Sequence, residues 1–477
     1  MVNMADRPNI LLILTDQERY DLTGDPTVPV ETPHLDQLAN AGVTFSRAYT
    51  PISICSSARA SLLTGVYPHN HGLLNNTHGA DAVRTNLPLD TYSFGTVLRE
   101  SGYEVTYTGK WHLGDDHTPE SFGFRYLGGS DQFHDNIDTD YQDYRDELGV
   151  HVPASALEDP IRLGTPQGEI IGATDPVDVE ATRPYFIAQR TIDNLDELAA
   201  ADDPFFHRTD FLGPHHPYIV PEPYASMYDP ATIEPWASYA ETFDGKPQAH
   251  ENYVSYRGVG EYDWETWAAL IAKYWGFMTL VDDQIGRILE ALDERGLTDE
   301  TVVIHSSDHG DFIGNHRQFN KGPLMYEDTY RIPLHVRWPE VAEPGVCSDF
   351  VQLHDLMPTF LDIAEIPVPP MVDGRSLRPL LAGESAPAWR EAAFCEYHGD
   401  EFGLYSQRMI RTDAYKFVYN APDINELYDM EADPAELQNV IDHPAYQEIR
   451  VGLENRLLSW MDETDDPLWS WTQNALA

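Results

Sequence analysis

The amino-terminal part of the chain contains a continuous apolar run at residues 10–14 that ends in Thr15-Asp16-Gln17. A strand with one face in solvent alternates apolar and polar side chains, so an uninterrupted run indicates a strand that is buried on both faces. Such strands are typical of parallel sheets covered by helices, and these sheets place their chemistry at the carboxyl ends of the strands. Asp16 therefore occupies a position where a functional side chain is expected.

Three further segments, at 104–107, 205–212 and 301–305, are predicted to be central strands, and each is followed by polar residues or glycine. Between the last two, apolar residues recur at spacings of three and four from Tyr274 to Leu292, and Gly296 follows as a stop signal. Strand, helix and strand indicate a βαβ crossover. The predicted fold is α/β, with a large central, mostly parallel sheet sandwiched by helices.

The remainder of the 477 residues suggests two regions of different character. The acidic, proline-spotted stretch at about 131–180 lacks sustained periodicity, and we expect long loops and short elements there, over the active face. Beyond about residue 391, strand-like runs at 402–411 and 415–419 precede a helical pattern around 446–461. We therefore expect a larger catalytic domain at 1–385 and a smaller C-terminal α+β domain, carrying an antiparallel sheet, at 386–477.

Four polar clusters carry the candidate chemistry, and three of them follow predicted strands: Thr15-Asp16-Gln17, Cys55-Ser56-Ser57-Ala58-Arg59, Gly109-Lys110-Trp111-His112 and Ser307-Asp308-His309-Gly310. Asp16 and the pair Asp308-His309 should meet at one sheet edge, offering carboxylate oxygens and an imidazole to a divalent cation. Each cluster also has a plain structural interpretation. An aspartate after a strand is often a helix cap or a turn residue, and a lone cysteine is often a small buried hydrophobe.

The charge balance limits the partners of the chain. With 79 acidic and 30 basic residues the formal net charge is −49, which opposes binding to nucleic acid and other extended polyanions. A hydrophobic content of 42% nevertheless supports a substantial core. Only five of the basic residues are lysines, a composition typical of proteins from salt-rich cytoplasm. Two of these lysines, Lys110 and Lys321, lie in or near the polar clusters, which suggests a role that arginine cannot fill.

The compartment follows from what the sequence lacks. Three cysteines, Cys55, Cys347 and Cys395, fit neither a disulfide framework nor a zinc motif. The first residues have no secretory pattern, and the apolar runs are too short to cross a bilayer. We therefore expect a cytoplasmic protein without a membrane partner.

Five motifs in the same order resemble those of the type I sulfatases, a family of the alkaline-phosphatase-like superfamily. They are Pro8-Asn-Ile-Leu-Leu-Ile-Leu-Thr-Asp16, Cys55-x-Ser57-x-Arg59 with Ala-Ser-Leu-Leu-Thr-Gly65, Gly109-Lys110-Trp111-His112, Pro214-His215-His216-Pro217 and Ser307-Asp308-His309-Gly310. The segment Glu426-Leu-Tyr-Asp-Met-Glu-Ala-Asp-Pro434 extends the resemblance into the C-terminal domain. The resemblance spans nearly the whole chain.

This resemblance implies a sulfuric ester hydrolase in which a maturation enzyme oxidises Cys55 to formylglycine. The hydrated aldehyde attacks the sulfur of a small sulfated substrate and later eliminates sulfate. The implied metal ligands are Asp16, Gln17, Cys55 as formylglycine, Asp308 and His309, around one divalent ion, with calcium first and manganese or magnesium as alternatives. Arg59, Lys110 and Lys321 would neutralise charge, His112 would act as the base for elimination, and His215 would protonate the leaving oxygen. Asn76 is a weaker candidate for binding the oxyanion.

Departures from the family pattern keep two alternatives open. Gln17 and His309 stand where many relatives have aspartate and asparagine, as in choline sulfatases and phosphonate monoester hydrolases, so a phosphonate monoester or phosphodiester hydrolase is the first alternative. Lys110 with His112 favours the sulfatase branch. Ser57 stands where proline is usual, and the second alternative is therefore a non-catalytic metal or anion binder that lacks maturation. The sequence does not indicate the oligomeric state or the particular ester.

Overall fold

The structure, a computed structural model, describes residues 7–24, 27–80, 82–114, 116–128, 135–201, 203–384, 386, 388–400 and 402–477, with the backbone alone at 135–138. The strands are β1 (Asn9–Asp16), β2 (Val43–Phe45), β3 (Ala48–Tyr49), β4 (Glu104–Gly109), β5 (Arg125–Tyr126), β6 (Glu158–Arg162), β7 (Ile170–Asp175), β8 (Phe205–Pro214), β9 (Tyr218–Pro221), β10 (Thr301–Ser307), β11 (Arg331–Ile332), β12 (Leu334–Arg337), β13 (Gly345–Cys347), β14 (Val351–Gln352), β15 (Ala393–Tyr397), β16 (Ser406–Arg411), β17 (Tyr415–Ala421) and β18 (Glu426–Asp429). The α-helices are α1 (Pro33–Ala41), α2 (Cys55–Thr64), α3 (Pro68–His71), α4 (Phe94–Glu100), α5 (Asp135–Glu147), α6 (Arg183–Ala199), α7 (Gln248–Arg257), α8 (Trp264–Glu294), α9 (Glu327–Tyr330), α10 (Leu356–Ile363), α11 (Arg378–Leu381), α12 (Gln447–Glu463) and α13 (Trp469–Leu476).

The central sheet has eight strands in the order β13-β2-β12-β10-β1-β8-β4-β5. Strand β1 lies between β10 and β8 and pairs with both in parallel, and β4 and β5 continue the parallel part beyond β8. Strand β12 runs antiparallel to its neighbours β10 and β2. The prediction of a large, mostly parallel central sheet is confirmed.

Strand β1 contributes to two cores, one on each face of the sheet. Leu12 and Leu14 pack into the core formed with α2, α4 and α10, whereas Leu11 and Ile13 pack into the core formed with α1, α6 and α8. All eight residues of β1 are buried. Helices therefore cover both faces, which explains why the sequence of β1 does not alternate.

Helix α8 makes the predicted crossover between β8 and β10, which lie on either side of β1. It begins ten residues before the predicted start, at Trp264, where the carboxylate of Asp263 accepts a hydrogen bond from the backbone N–H of Thr266 at 3.0 Å. Gly296 follows the helix in the left-handed conformation, with φ of 70°. This conformation is common after a helix end and agrees with the predicted stop signal.

The acidic stretch at 131–180 differs from the expectation of long loops and short elements. Residues 131–134 lie outside the described residues, but α5 that follows is a 13-residue helix. Two tyrosines of α5 pack on α6. The ring centroids of Tyr141 and Tyr144 lie 5.5 and 4.9 Å from that of Phe186. Strands β6 and β7 form a small sheet with β9 after it.

The C-terminal region carries a four-stranded antiparallel sheet in the order β15-β16-β17-β18. One face of this sheet packs against α12 through Phe417, Leu457 and Trp460. The other face packs on the larger part of the chain, where Met409 and Val418 join a core with Tyr330. The predicted antiparallel C-terminal sheet is confirmed; residue 385, the end of the expected larger domain, lies outside the described residues.

Two smaller sheets, β11-β3-β14 and β6-β7-β9, complete the described strands. All three cysteines are free thiols. Within the described part of the chain, none of the helices combines the length and the apolar character needed to cross a membrane.

Candidate active site

Four side chains meet at the carboxyl edge of the central sheet. Asp16 ends β1, Asp308 and His309 follow β10, and Cys55 begins α2. Their potential ligand atoms all lie within 4.8 Å of one another, and all four residues are buried. The predicted convergence of these residues therefore exists in the fold.

Cys55 is presented by the first turn of α2, a helix whose ten residues are all buried. The side-chain oxygen of Asn76 accepts a hydrogen bond from the backbone N–H of Ser56 at 3.2 Å, which satisfies one of the free donors at the helix start. Burial, with the charge of Asp16, raises the pKa of the Cys55 thiol to about 11. The unmodified thiol is therefore protonated at neutral pH, and it is a poor nucleophile.

His309 offers a lone pair to the same space. Its Nδ1 donates to the carbonyl of Gly310 at 2.8 Å, so the proton resides on Nδ1 and the lone pair on Nε2. Nε2 lies 3.1 Å from the Sγ of Cys55. Burial, with the charge of Lys321, lowers the pKa of His309 well below its usual value, which keeps the ring neutral.

The pKa values of the two carboxylates are shifted in opposite directions. Burial alone would raise the pKa of Asp16, but the charges of Lys110 and Arg59 outweigh it and hold that pKa below its usual value. Burial and the neighbouring charge of Asp16 raise the pKa of Asp308 to about 6. A bound divalent cation would oppose that rise. Two carboxylates and an imidazole lone pair are donors that such a cation accepts, so the residues fit a metal.

Arg59 contacts three buried carboxylates. Its Nε donates to Asp308 at 2.8 Å, and its Nη1 donates to Asp210 at 2.6 Å. Nη2 lies 3.5 Å from Asp16 and, among the described residues, has no hydrogen-bond acceptor. Asp210 is further held by Arg208 and by the hydroxyl of Tyr107, at 2.6 and 2.7 Å. Arg59 thus has one buried donor nitrogen left for a bound group.

Lys110 follows β4 and pairs with the carboxylate of Asp16. The turn that positions it depends on Gly109, which has φ of 99°. A Cβ at that position would lie 1.9 Å from the carbonyl oxygen of Asp210, so a side chain cannot fit there. Strands β4 and β8 therefore pack closely enough to bring Lys110 beside Asp16.

Gln17 and Lys321 extend the site toward His215. The side-chain amide of Gln17 donates to Asp311 at 2.6 Å, and its Oε1 accepts from Lys321 Nζ at 3.1 Å. Lys321 Nζ lies 3.2 Å from His215 Nε2, and His215 Nδ1 lies 2.5 Å from the carbonyl oxygen of His216. The backbone of Gln17, at φ of 66°, donates to Asp308 at 3.2 Å.

Two predicted residues contact side chains outside the central cluster. His112 lies against His78, with 2.8 Å between His112 Nε2 and His78 Nδ1, and burial and the charge of Lys110 lower its pKa well below its usual value. The amide nitrogen of Asn76 donates to Asp400 at 3.1 Å. Asn76 thus connects the start of α2 to the C-terminal region.

Two residues at the site were missed from the sequence, Asp210 and Asp311. Asp210 holds Arg59 from within β8, and Asp311 holds both the amide of Gln17 and, at 2.5 Å, the hydroxyl of Tyr218. A signal existed for each. Asp210 is a charged residue near the carboxyl end of a predicted buried strand, and Asp311 directly follows the cluster at Asp308.

The chain matches a family model described as Sulfatase over residues 8–366, and a model described as N-sulphoglucosamine sulphohydrolase, C-terminal, over residues 314–463. It is 31% identical to an uncharacterized sulfatase, YidJ, of Escherichia coli K12, covering 98% of this chain and 89% of that protein. It is 29% identical to an arylsulfatase of Clostridium perfringens, covering 93% and 92%.

Among solved structures, the chain is similar to a phosphonate monoester hydrolase from Silicibacter pomeroyi. The TM-score is 0.82 at 25% sequence identity, with 97% of each chain covered. The fold extends over almost the full length of both proteins.

Proposed function

The chain belongs to the sulfatase family and is a sulfatase enzyme, and from that premise we propose that it hydrolyses a small sulfate monoester to an alcohol and inorganic sulfate at the site around Cys55. The observation that carries this proposal is the buried convergence of Asp16, Cys55, Asp308 and His309 at one sheet edge. Lysines and an arginine adjoin this cluster, in a chain whose formal net charge is −49.

We propose that Cys55 is the position converted to formylglycine by a maturation enzyme. The thiol itself is poorly suited to attack, since its pKa is raised to about 11. A hydrated aldehyde at the same position would supply the nucleophilic oxygen. The start of α2 supports this role, because helix N-termini favour negative charge.

The proposed metal ligands are Asp16, Gln17, Asp308 and His309, with the modified side chain at Cys55. When bound, a divalent cation would lower the pKa of the nucleophile and offset the charge of the sulfate. Calcium is the first candidate for this set of oxygen ligands and one imidazole, with manganese or magnesium as alternatives. His309 is ready to bind because its Nδ1 is held by Gly310.

Three cationic side chains would bind and orient the sulfate. Lys110 and Lys321 are compact charges on either side of Asp16 and Gln17, and Arg59 adds the donor Nη2. All three are held by buried partners, so little reorganisation is needed as charge builds on the sulfate oxygens.

Two histidines are proposed to move protons. Lys321 donates a hydrogen bond to Nε2 of His215. We propose that these two side chains together supply the proton that the leaving oxygen takes up. His112 is the proposed base for releasing sulfate, and its lowered pKa keeps it neutral and able to accept a proton.

A phosphonate monoester hydrolase is the second candidate, favoured by the likeness to the Silicibacter pomeroyi enzyme. Lys110 with His112 argues against it, since the resemblance noted in the sequence associates this pair with the sulfatase branch. The test compares kcat/KM for 4-nitrophenyl sulfate and for 4-nitrophenyl phenylphosphonate, using mature protein loaded with metal. We expect a clear preference for the sulfate. A large preference for the phosphonate would reject the first candidate.

A further inference from the structure

A cavity of about 250 Å³ adjoins the active site at His215. His215 lines one end of this cavity, and its Nε2 faces Lys321, which contacts Gln17. An alcohol that leaves from the sulfate past His215 would therefore enter this space. Its volume lies below the range of about 300–1,000 Å³ that is usual for drug-sized ligands, so it suits a single ring.

The far wall of the cavity comes from α5 and the start of α6. Tyr141 and Tyr144 dock α5 on Phe186, and the hydroxyl of Tyr141 donates to the carbonyl of Ala181 at 2.9 Å. This packing places Arg145 of α5 on the same cavity as Arg183, whose guanidinium carbon lies 4.4 Å from the centroid of the Tyr141 ring.

The charge on this wall is unusual for the chain. Two arginines line a small cavity in a protein with 79 acidic residues and 30 basic ones. Asp175 is the acidic residue lining the cavity, and its Oδ1 has no hydrogen-bond partner among the described residues. Within that same part of the chain, no carboxylate lies within ion-pair distance of Arg145. The described lining thus holds two arginines and one aspartate, and His215, which also lines the cavity, contacts Lys321.

Another part of the lining is apolar. Phe277 and Leu280 of α8, with Leu212 of β8, line it. A cavity lined by apolar side chains and two guanidinium groups fits a flat ring that carries a carboxylate, because arginine binds that group in a planar, bidentate geometry.

Resting on the proposed function, we infer that this cavity binds the alcohol part of the substrate and that the preferred substrate is a sulfate ester of a single ring bearing a carboxylate. Arg145 and Arg183 are assigned as the residues that bind the carboxylate. A neutral ring would occupy the same cavity but would be bound only by the apolar side chains that line it. A cationic alcohol would be disfavoured by both arginines.

The test measures sulfate release from 3-carboxyphenyl sulfate and from phenyl sulfate by the full-length, metal-loaded enzyme. The readout is the kcat/KM for the carboxylate ester divided by the kcat/KM for phenyl sulfate. Because the intrinsic reactivity of each ester is the same for every variant, it cancels when this ratio is compared between enzymes. We expect the wild type to prefer the carboxylate ester. In Arg145→Gln and in Arg183→Gln the ratio should fall about tenfold, the size expected for a charge-assisted hydrogen bond.

Two further variants separate this effect from misfolding. Arg190→Gln is the matched control, since Arg190 is exposed on α6 and packs on Phe186 outside the cavity, and its ratio should equal that of the wild type. Asp175→Asn removes the opposing carboxylate and should raise the ratio by about threefold, an effect that a folding defect does not produce.

An equal ratio in all four variants, with phenyl sulfate still hydrolysed, would overturn this inference and leave the proposed function standing. A higher ratio in Arg145→Gln or Arg183→Gln would overturn it as well. Failure of the wild type to release sulfate from either ester would overturn the proposed function and this inference with it.

Discussion

Arg59 is the side chain that connects most of the buried charge at the active site. It bridges Asp308 and Asp210 with two different nitrogens and is itself fully buried. A lysine carries all its donors on one nitrogen and cannot reproduce the two separate contacts of the guanidinium group.

We therefore predict that Arg59→Lys lowers the free energy of unfolding by about 3–5 kcal/mol, the cost of leaving a buried charge unpaired, and abolishes activity. Urea denaturation followed by circular dichroism measures the loss. Arg190→Lys, on the exposed side of α6, is the control and should leave stability within about 0.5 kcal/mol of the wild type. A change of less than 1 kcal/mol in Arg59→Lys would contradict the bridging role.

Asp311 positions Gln17 rather than contacting the proposed metal. Its Oδ2 accepts from the Gln17 amide and from the Tyr218 hydroxyl, which turns Oε1 of Gln17 toward Lys321. We predict that Asp311→Ala weakens binding of calcium to the metal-free protein by about 10- to 100-fold.

Titration calorimetry with calcium measures this effect without any assay of activity. Asp244→Asn alters an exposed carboxylate elsewhere and is the matched control. Equal affinities in wild type and Asp311→Ala would show that Gln17 is held without Asp311 or is not a ligand.

The residues of the site that lie at strand ends were accessible to sequence reasoning. Asp16, Asp308 and His309 each follow a strand with a recognisable apolar run, and the position of such residues on a sheet edge is general. Asp210 lies near the carboxyl end of a predicted strand, but its role was not predictable, because its partner Arg59 lies 151 residues away and their meeting depends on the strand order. The role of Asp311 was not predictable for the same reason, because it depends on where the fold places the side chain of Gln17.

At the scale of elements, α8 depends on a glycine where it crosses a neighbouring segment. A Cβ on Gly276 would lie 2.2 Å from the carbonyl oxygen of Tyr224, and backbone atoms cannot easily move away. A Cβ on Gly452, in the middle of α12, would meet nothing within 4 Å.

The two glycines therefore predict opposite results for the same substitution. Gly276→Ala should destabilise the protein by about 1–3 kcal/mol through overpacking. Gly452→Ala should stabilise it by about 0.5–1 kcal/mol through the helix propensity of alanine. Denaturant titration of both variants measures the difference, and a stabilising Gly276→Ala would contradict the close contact of α8.

The helices differ in how well their sequences predict them. Helix α8 has a long apolar stripe, although its first ten residues were missed because the cap at Asp263 precedes the periodic part. Helix α5 was missed because its sequence, DNIDTDYQDYRDE, has little apolar content and its docking depends on the rings of Tyr141 and Tyr144. The contact with Phe186 exists only in the folded chain.

At the scale of the whole molecule, the five lysines lie mainly in the interior and not on the surface. Lys110, Lys246, Lys321 and Lys416 are buried, and Lys273 is half-buried. The surface charge is thus set almost entirely by carboxylates and arginines. This distribution supports adaptation to high salt, which we propose for the chain.

We predict that the melting temperature rises by roughly 5–10 °C when KCl is raised from about 0.1 M to about 2 M, because screening shortens the range of self-repulsion. Differential scanning calorimetry measures the shift. Sucrose at equal osmolality controls for solute exclusion and should give a smaller rise. A melting temperature that falls with KCl would contradict the proposal.

The C-terminal region is held to the larger part by a buried ion pair. His69 in α3 bonds to Glu396 of β15 at 2.6 Å and to the carbonyl of Thr464 at 2.9 Å. Burial would lower the pKa of His69, but the charge of Glu396 outweighs it and raises the pKa from 6.5 to about 9. We propose a domain boundary at 385/386, with this pair as one of the contacts across it.

The sign of the pH effect follows from that shift. Protonated His69 stabilises the folded state fully below pH 6.5 and is lost as pH rises toward about 9. We predict a fall of about 3 kcal/mol in the free energy of unfolding across this range, and the part between about pH 7 and 9 should be absent in His69→Gln. Urea titrations at several pH values measure it. Equal slopes in both proteins would contradict the assignment.

The most direct test of the central claim is sulfate release by the mature protein and by Cys55→Ala, made and purified in the same way, with mass spectrometry of the peptide that contains residue 55. We predict that the wild type releases sulfate from phenyl sulfate and carries an aldehyde at Cys55, whereas Cys55→Ala releases none above the buffer. Equal release by both proteins, or an active wild type with only an unmodified thiol at Cys55, would contradict the account.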